Sequence, residues 1–308
     1  MVKKQIDGNG LQRLPHSRME NQKILKGKKK YMKDCRFTLS QKRRLKELGA
    51  DSHVNLTFKN EKERDNVFDN LARKLERKHK EALLNLLKIT KRPLIRRLES
   101  KLIEALTSAG FVEVNTPFII PREFIERMGI SETHKLWKQI YWLGDGRCLR
   151  PMLAPNLYQI MRFLRKFTKP VSIFEIGPCF RKESKGRDHI EEFTMLNVVE
   201  LAPDNEPFER LQEIIDLVTK AVELPHCRLK NVKSEVYGKT MDVIVEENEI
   251  ASAAVGPHSL DKNWGIFEAW AGVGFGIERI AMIKMDTKRI KHVARSLTYL
   301  DGASLDVY

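Results

Sequence analysis

Arg181 closes the apolar run "VSIFEIGPCF" and opens the charged stretch "RKESKGRDHIEE", after which apolar residues resume at Phe193 in "FTMLNVVEL". Two strands joined by a polar loop put a guanidinium and an aromatic ring on one hairpin. The guanidinium is a planar fork that matches phosphate oxygens, and the ring is a stacking face. A second arginine follows a glycine-rich segment, "GVGFGIER", in which Gly272, Gly274 and Gly276 let the backbone approach a ligand closely. Arg279 falls one turn into the helix that follows, from where a long side chain reaches back over a sheet. The segment is not a dinucleotide fingerprint, because it lies near the C-terminus after antiparallel-looking strands and lacks a βαβ unit. Together the two segments have the parts to hold a nucleotide.

These residues need a frame, and the hydrophobic pattern supplies one. "FTLSQKRRLKELG" reads as a short helix with Ser40 as its cap and Gly49 as its stop. Val67, Phe68, Leu71, Leu75, Ala82, Leu83 and Leu86 mark a longer one, and Leu94, Leu98, Leu102 and Leu106 a third, ending at Gly110. "FVEVNTPFII" then switches to strand, "QIYWLGDGRCLR" to a hairpin about Gly144–Gly146, and "APNLYQIMRFLRK" to a helix with Pro155 in its first turn. After the strands on either side of the charged loop come a helix through Phe208, Leu211, Ile214, Ile215 and Val218, the strands "VYGKTMDVIV" and "EIASAAVGP", and a glycine-rich turn into a last helix. Runs of strands with helices inserted, without βαβ alternation, predict an α+β protein with an antiparallel sheet flanked by helices.

Composition narrows the setting. A chain of 308 residues with 42% hydrophobic content buries one large core plus an appendage, and no apolar run is long enough for a membrane helix. Without an apolar segment behind Lys3 and Lys4, the expected location is the cytoplasm. Cys35, Cys148, Cys179 and Cys227 are scattered with no CxxC pair, so they read as reduced thiols rather than as a zinc knuckle or disulfide frame. The net charge is +15, and residues 1–36 hold eleven Lys or Arg against three acids, so most of the excess sits in one arm. Arg43, Arg44, Lys46, Arg73, Lys74, Arg77, Lys78 and Lys80 continue it on the first two helices. Such a surface attracts polyanions and releases counterions on a phosphate backbone.

The motifs carry a resemblance. "FRKES…EEF" is similar to motif 2 of the class II aminoacyl-tRNA synthetases, "GFGIER" to motif 3, and "FVEVNTPFII", with Pro117, to motif 1. "CLRPMLAPNLY", "IFEIGPCFRKES", "EEFTMLN", "VYG…DV" and "SAAVGPH" narrow it: residues 94–308 resemble the catalytic domain of the pyrrolysyl-tRNA synthetase family. The division this implies is a basic arm over 1–36, a helical tRNA-binding region over 37–92 and a class II catalytic domain over 93–308. The implied chemistry joins L-pyrrolysine to its tRNA, tRNA(Pyl), through an aminoacyl-adenylate, using ATP and Mg2+.

The resemblance also implies roles. Arg181 meets the α-phosphate, Arg279 meets the γ-phosphate of a bent ATP, and Phe193 stacks the adenine against Arg279. Glu183 and His189 lie near the adenine and phosphates, and Glu249 with Ser252 offers oxygen ligands to magnesium. The amino-acid pocket falls on Ala154, Leu157, Tyr158, Met161, Asn197, Val199, Tyr237, Ala254, Trp270 and Gly272. Val199 stands where archaeal members commonly carry cysteine, and Met161 and Ala254 also depart from frequent choices, which leaves the pocket's dimensions open. A homodimer is expected through motif 1. No Cys/His-rich tRNA-gripping domain precedes the arm and no anticodon-binding domain follows Arg295, so a separate N-terminal polypeptide or the arm itself is expected to grip the tRNA. The alternatives are another class II synthetase of the phenylalanyl or phosphoseryl subgroup, a non-catalytic tRNA-binding paralogue, and a plain RNA-binding protein; the last leaves both arginine motifs unexplained.

Overall fold

The computed structural model describes residues 35–182, 190–234 and 236–307. Strand β1 (Cys35–Arg36) pairs with β2 (Thr57–Phe58), helix α1 (Leu39–Glu47) lies between them, and α2 (Glu61–Asn85) follows. The cap of α1 is Thr38 rather than Ser40, which is already inside the first turn. Thr38 Oγ1 accepts from Gln41 N at 3.2 Å while Gln41 Oε1 accepts from Thr38 N at 3.0 Å, a reciprocal capping box. Gly49 does follow the helix in a left-handed conformation, with φ 78°. Leu45 and Phe37 bury against Phe68, Leu71 and Leu75, and Val307 from the far end of the chain joins Leu48 and Ala72. Two charged ties cross the same seam: Arg44 to Asp306 at 3.1 Å, and Arg289 to both oxygens of Asp51 at 2.7 and 2.5 Å.

A π turn over Leu86–Thr90 leads into α3 (Leu94–Ser108), whose Leu98, Leu102 and Leu106 are buried, and Gly110 ends it at φ 89°. The run "FVEVNTPFII" then departs from the single strand its pattern suggests. It splits into β3 (Val112–Glu113), parallel to the main sheet, and β4 (Ile119–Pro121), which pairs elsewhere. The cause lies between them. Pro117 cannot donate to a ladder, and Thr116 gives its donors to a buried carboxylate instead: its N to Glu175 Oε1 at 3.2 Å and its Oγ1 to Glu175 Oε2 at 2.6 Å.

Helix α4 (Arg122–Arg127) precedes the expected hairpin. Asp145 and Gly146, both at positive φ, turn the chain into β5 (Arg147–Leu149), the partner of β4. Then come α5 (Ala154–Leu164), the long strands β6 (Val171–Phe180) and β7 (Glu192–Leu201), α6 (Pro207–Ala221), β8 (Cys227–Ser234), β9 (Gly238–Val245), β10 (Asn248–Gly256), β11 (Trp270–Gly276) and α7 (Ile277–Lys284). A small hairpin of β12 (Tyr299–Leu300) and β13 (Ala303–Ser304) follows. The main sheet runs β3-β6-β7-β11-β10-β9-β8 and is antiparallel apart from β3 on β6.

Two features escaped the sequence pattern. The edge strand β8, "CRLKNVKS", is half basic and polar, and the glycine-rich "GVGFG" is a central strand instead of a turn. Alternation explains both its glycines and its burial. Ala271, Val273 and Phe275 point to a core under α3, α6 and α7, whereas Gly272, Gly274 and Gly276 face the opposite side. There a second cluster of Tyr158, Met161, Val199, Ala254, Trp264 and Trp270 walls a depression. The four cysteines are free, and burial pushes the Cys148 and Cys179 thiols up to about 11 and about 12, as inert core groups require.

Candidate active site

The floor of the depression is set by register. Gly274 lies between Asn197 on β7 and Ser252 on β10, and Gly272 lies between Val199 and Ala254. A Cβ on Gly274 would come within 3.0 Å of Asn197 Oδ1 and 3.2 Å of the Met195 methyl, and one on Gly272 within 3.1 Å of the Trp270 ring. The glycines therefore keep a trough open across three strands. Gly256 serves similarly at one end, since a Cβ there would overlap the Trp270 indole.

Two cavities of about 210 Å³ each share this floor and meet at Arg181, Met195, Ser252 and Gly274. In one, the sheet contributes Asn197, Val199, Ala254, Trp270 and Gly272, while α5 contributes Ala154, Leu157, Tyr158 and Met161, with Tyr237 opposite. All ten positions expected for an amino-acid pocket thus line a single space. In the other stand Arg181, Phe193, Glu249, Ser252 and Arg279. Glu183 and His189 lie outside the described residues.

Arg181 continues the β6–β7 hairpin by one bond, its N donating to Glu191 O at 2.9 Å. Its Nε donates to Pro151 O at 2.8 Å, and its guanidinium carbon lies 5.1 Å from the centre of the Phe193 ring. Arg279 reaches from α7 to β10, where its Nη1 donates to the main-chain oxygen of Glu249 at 2.9 Å and pairs with Oε1 of the same residue at 2.8 Å. Glu249 and Ser252, three apart, would face opposite sides of a regular strand. The register slips between Glu249 and Ala251, so Ile250 is an extra residue, and this bulge turns both oxygens into one cavity. Their donor set, one carboxylate and one hydroxyl, suits a hard cation completed by phosphate oxygens. Among the described residues no three His, Cys, Asp or Glu side chains cluster to hold a metal by themselves.

Sequence reasoning missed three acids around this floor. Glu278 is 1% exposed and accepts Thr194 N at 2.9 Å on both carboxylate oxygens, tying α7 to the strand that carries Phe193. Burial pushes its carboxyl above the usual range. Asp242 sits opposite Ser252, and burial, with Glu249 nearby, pushes it up as well. Asp261 accepts Tyr158 Oη at 2.6 Å and Trp270 Nε1 at 2.8 Å. An acid directly before Arg279 in an otherwise apolar turn was the available signal for Glu278; Asp261 and Asp242 had none in spacing.

The walls of the first cavity are aromatic. Tyr158 stacks on Trp264 with centroids 5.4 Å apart and meets Trp270 edge-on, and burial raises the hydroxyls of Tyr158 and Tyr237. Asn197 Oδ1 is buried with no hydrogen-bond partner among the described residues. An orphan of this kind costs about 1–3 kcal/mol, so it points to a ligand group. Turning the amide by half a revolution would bring its N–H donors to the same place.

A family model described as the tRNA synthetases class II core domain (F) matches residues 83–301. The chain is similar to the solved pyrrolysyl-tRNA synthetase from Desulfitobacterium hafniense, with 44% identity and a TM-score of 0.83, covering 88% of this chain and 98% of that one. A second structure of that organism's pyrrolysyl tRNA synthetase gives 43% and 0.82 over 89% and 96%. The curated threonine–tRNA ligase of Phenylobacterium zucineum is 32% identical over 98 residues; that match covers 30% of this chain and only 15% of the relative. Paired arginines over a glycine floor, a class II core across most of the length and near-complete overlap with a solved relative converge: the chain belongs to the pyrrolysyl-tRNA synthetase family of class II aminoacyl-tRNA synthetases.

Proposed function

We propose that the protein is an ATP-dependent pyrrolysine–tRNA ligase. The observation that carries this reading is adjacency: the cavity holding Arg181 and Arg279 opens, at Arg181, Met195, Ser252 and Gly274, onto the pocket that holds all ten amino-acid positions. A carboxylate in the amino-acid pocket is thereby aimed at an α-phosphate in the cavity of the two arginines. In the adenylation step the amino-acid carboxylate oxygen bonds to the α-phosphorus and pyrophosphate leaves. Arg181, at the junction, offsets the charge that grows there. Arg279 holds the γ-phosphate, and the adenine lies between Arg279 and Phe193. Glu249 and Ser252 would hold Mg2+, which neutralises phosphate charge when bound. No general base is needed, because alignment and charge stabilisation suffice for a carboxylate nucleophile. The 3′-terminal ribose hydroxyl of tRNA(Pyl) then takes the acyl group and AMP leaves.

The pocket suits a long, mostly apolar side chain with one amide. Tyr158, Tyr237, Trp270 and Met161 enclose a ring, and Asn197 pairs with a carbonyl. A phosphoserine site would show added basic groups, whereas Arg181 is the single charged side chain among the described lining residues. Exposed Arg73, Lys74, Arg77, Lys78 and Lys80 on α2 suit a tRNA backbone, with the basic arm or a separate polypeptide adding grip. Exposed Val112, Phe118 and Ile119 beside Pro117 suit a homodimer contact at motif 1. No helix of the described residues is long and apolar enough to cross a membrane, which fits a cytoplasmic enzyme. The test is amino-acid-dependent pyrophosphate exchange across a panel of pyrrolysine, phenylalanine and phosphoserine. Exchange with pyrrolysine is expected; exchange with either of the others alone, or with none, overturns the reading.

A further inference from the structure

Asp261 begins the short helical turn Asp261–Trp264, after β10, and is 1% exposed. Taking a carboxylate so far from water is costly unless donors surround it. Three do: Tyr158 Oη on Oδ1 at 2.6 Å, Trp270 Nε1 on Oδ2 at 2.8 Å, and the His258 amide on Oδ2 at 2.6 Å. Among the described residues it makes no ion pair. Tyr158 comes from α5 and Trp270 opens β11, so a single side chain from a third segment fixes two walls of the first cavity.

The chemistry goes beyond position. A phenol owns one O–H and an indole one N–H. Both polar hydrogens are spent on Asp261, so neither ring has a donor left for a ligand, and the two walls present apolar surface. Without the carboxylate, each would be a buried donor seeking a partner inside the pocket.

Resting on the reading of this cavity as the amino-acid pocket, we infer that Asp261 is a positioning residue that sets specificity. It locks the Tyr158 and Trp270 rings and keeps their donors out of the space. The site thereby favours a lysine-like side chain capped by an apolar group and rejects one that ends in a charge or in several polar atoms.

The test measures pyrophosphate exchange by wild type, Asp261→Asn, Tyr158→Phe and the double variant, with pyrrolysine, Nε-acetyl-lysine and lysine, and with ATP varied separately. Asn keeps the shape but replaces one acceptor oxygen with a donor; its remaining oxygen stays with the two N–H groups that meet Oδ2, so the Tyr158 hydroxyl is the donor that loses its acceptor. The KM for pyrrolysine should rise about tenfold or more in Asp261→Asn, while the KM for ATP stays within about twofold. The preference for pyrrolysine over the acetylated and free lysines should narrow, and the double variant should lose no more than Asp261→Asn alone, because both changes break the same hydrogen bond. A folded Asp261→Asn with an unchanged pyrrolysine KM overturns the inference. So does an equal rise in both KM values, which marks general loosening. Should Asp261→Asn fail to fold by thermal melt, Tyr158→Phe decides alone: an unchanged pyrrolysine KM and preference overturns it. Absence of exchange in the wild type overturns instead the pocket reading beneath it.

Discussion

Arg279 is tied to Glu249 twice, through the carboxylate at 2.8 Å and through the main-chain oxygen at 2.9 Å. The two groups proposed for γ-phosphate and for magnesium are thus each other's partners, and on that reading bound MgATP would replace their ion pair with bonds to its own phosphates and metal. The main-chain bond survives any change of the Glu249 side chain. Glu249→Gln should accordingly leave Arg279 in place while shifting the Mg2+ concentration needed for half-maximal exchange upward by about tenfold, the typical reach of one charge-assisted interaction. Titration of exchange against Mg2+ checks this, and an unshifted midpoint would remove Glu249 from the metal site.

Arg150 and Glu175 form an ion pair at 2.6 Å with side chains 0% and 1% exposed, anchored further by Thr116 and by the Pro178 carbonyl. Glu175→Leu leaves a buried guanidinium without its counter-charge and should cost about 3–5 kcal/mol in a denaturant melt. Replacing both, as Arg150→Met with Glu175→Leu, should recover most of that loss. A single variant as stable as wild type would refute the account of why β3 and β4 separate at Thr116 and Pro117.

His79 and His292 lie at the seam between the first two helices and the C-terminal segment, bonded to Leu48 O and to Thr287 Oγ1 respectively. Burial lowers both; at His79 the bond to Leu48 O opposes the shift while Lys78 and Arg44 add to it, and at His292 Arg289 adds to it against an opposing pull from Asp51. A lowered folded value means that the unfolded chain binds more protons, so their contribution to stability is complete above about pH 6.5 and is lost as pH falls through the folded values. Thermal melts between pH 7.5 and 5.5 should show stability falling toward acid, and His79→Gln with His292→Gln should flatten that slope. An equal slope in the variant would place the effect elsewhere.

Residues 1–36 hold eleven basic side chains against three acids. Their removal should weaken tRNA binding and flatten the dependence of log K on log salt by about 0.9 for each duplex phosphate that the arm neutralises. Filter binding from 50 to 300 mM salt reads both. Unchanged affinity and slope would make the arm a solubiliser.

Much of the frame was legible because burial writes a period into sequence. Leu98, Leu102 and Leu106 mark α3, and Leu196 and Val198 alternate with Asn197 and Val199 along β7. What period does not record stayed hidden. The bulge at Ile250, which brings Glu249 beside Ser252, has no residue to announce it. Asp261 acts through Tyr158, 103 positions away, in a polar stretch with nothing to single it out. The glycines of β11 read as a turn because part of their cause, an Asn197 side chain that leaves no room for a Cβ at Gly274, belongs to another strand.

The central claim is that Arg181 and Arg279, 98 positions apart in sequence and lining one cavity, hold a single bent triphosphate. Pyrrolysine-dependent pyrophosphate exchange by Arg181→Ala, Arg279→Ala and the double variant, each verified as folded, tests it most directly. The account predicts a loss of about 10²-fold or more in each single variant, with the double falling short of the product of the two, as groups that act as a unit do. Wild-type exchange in either single variant would contradict it.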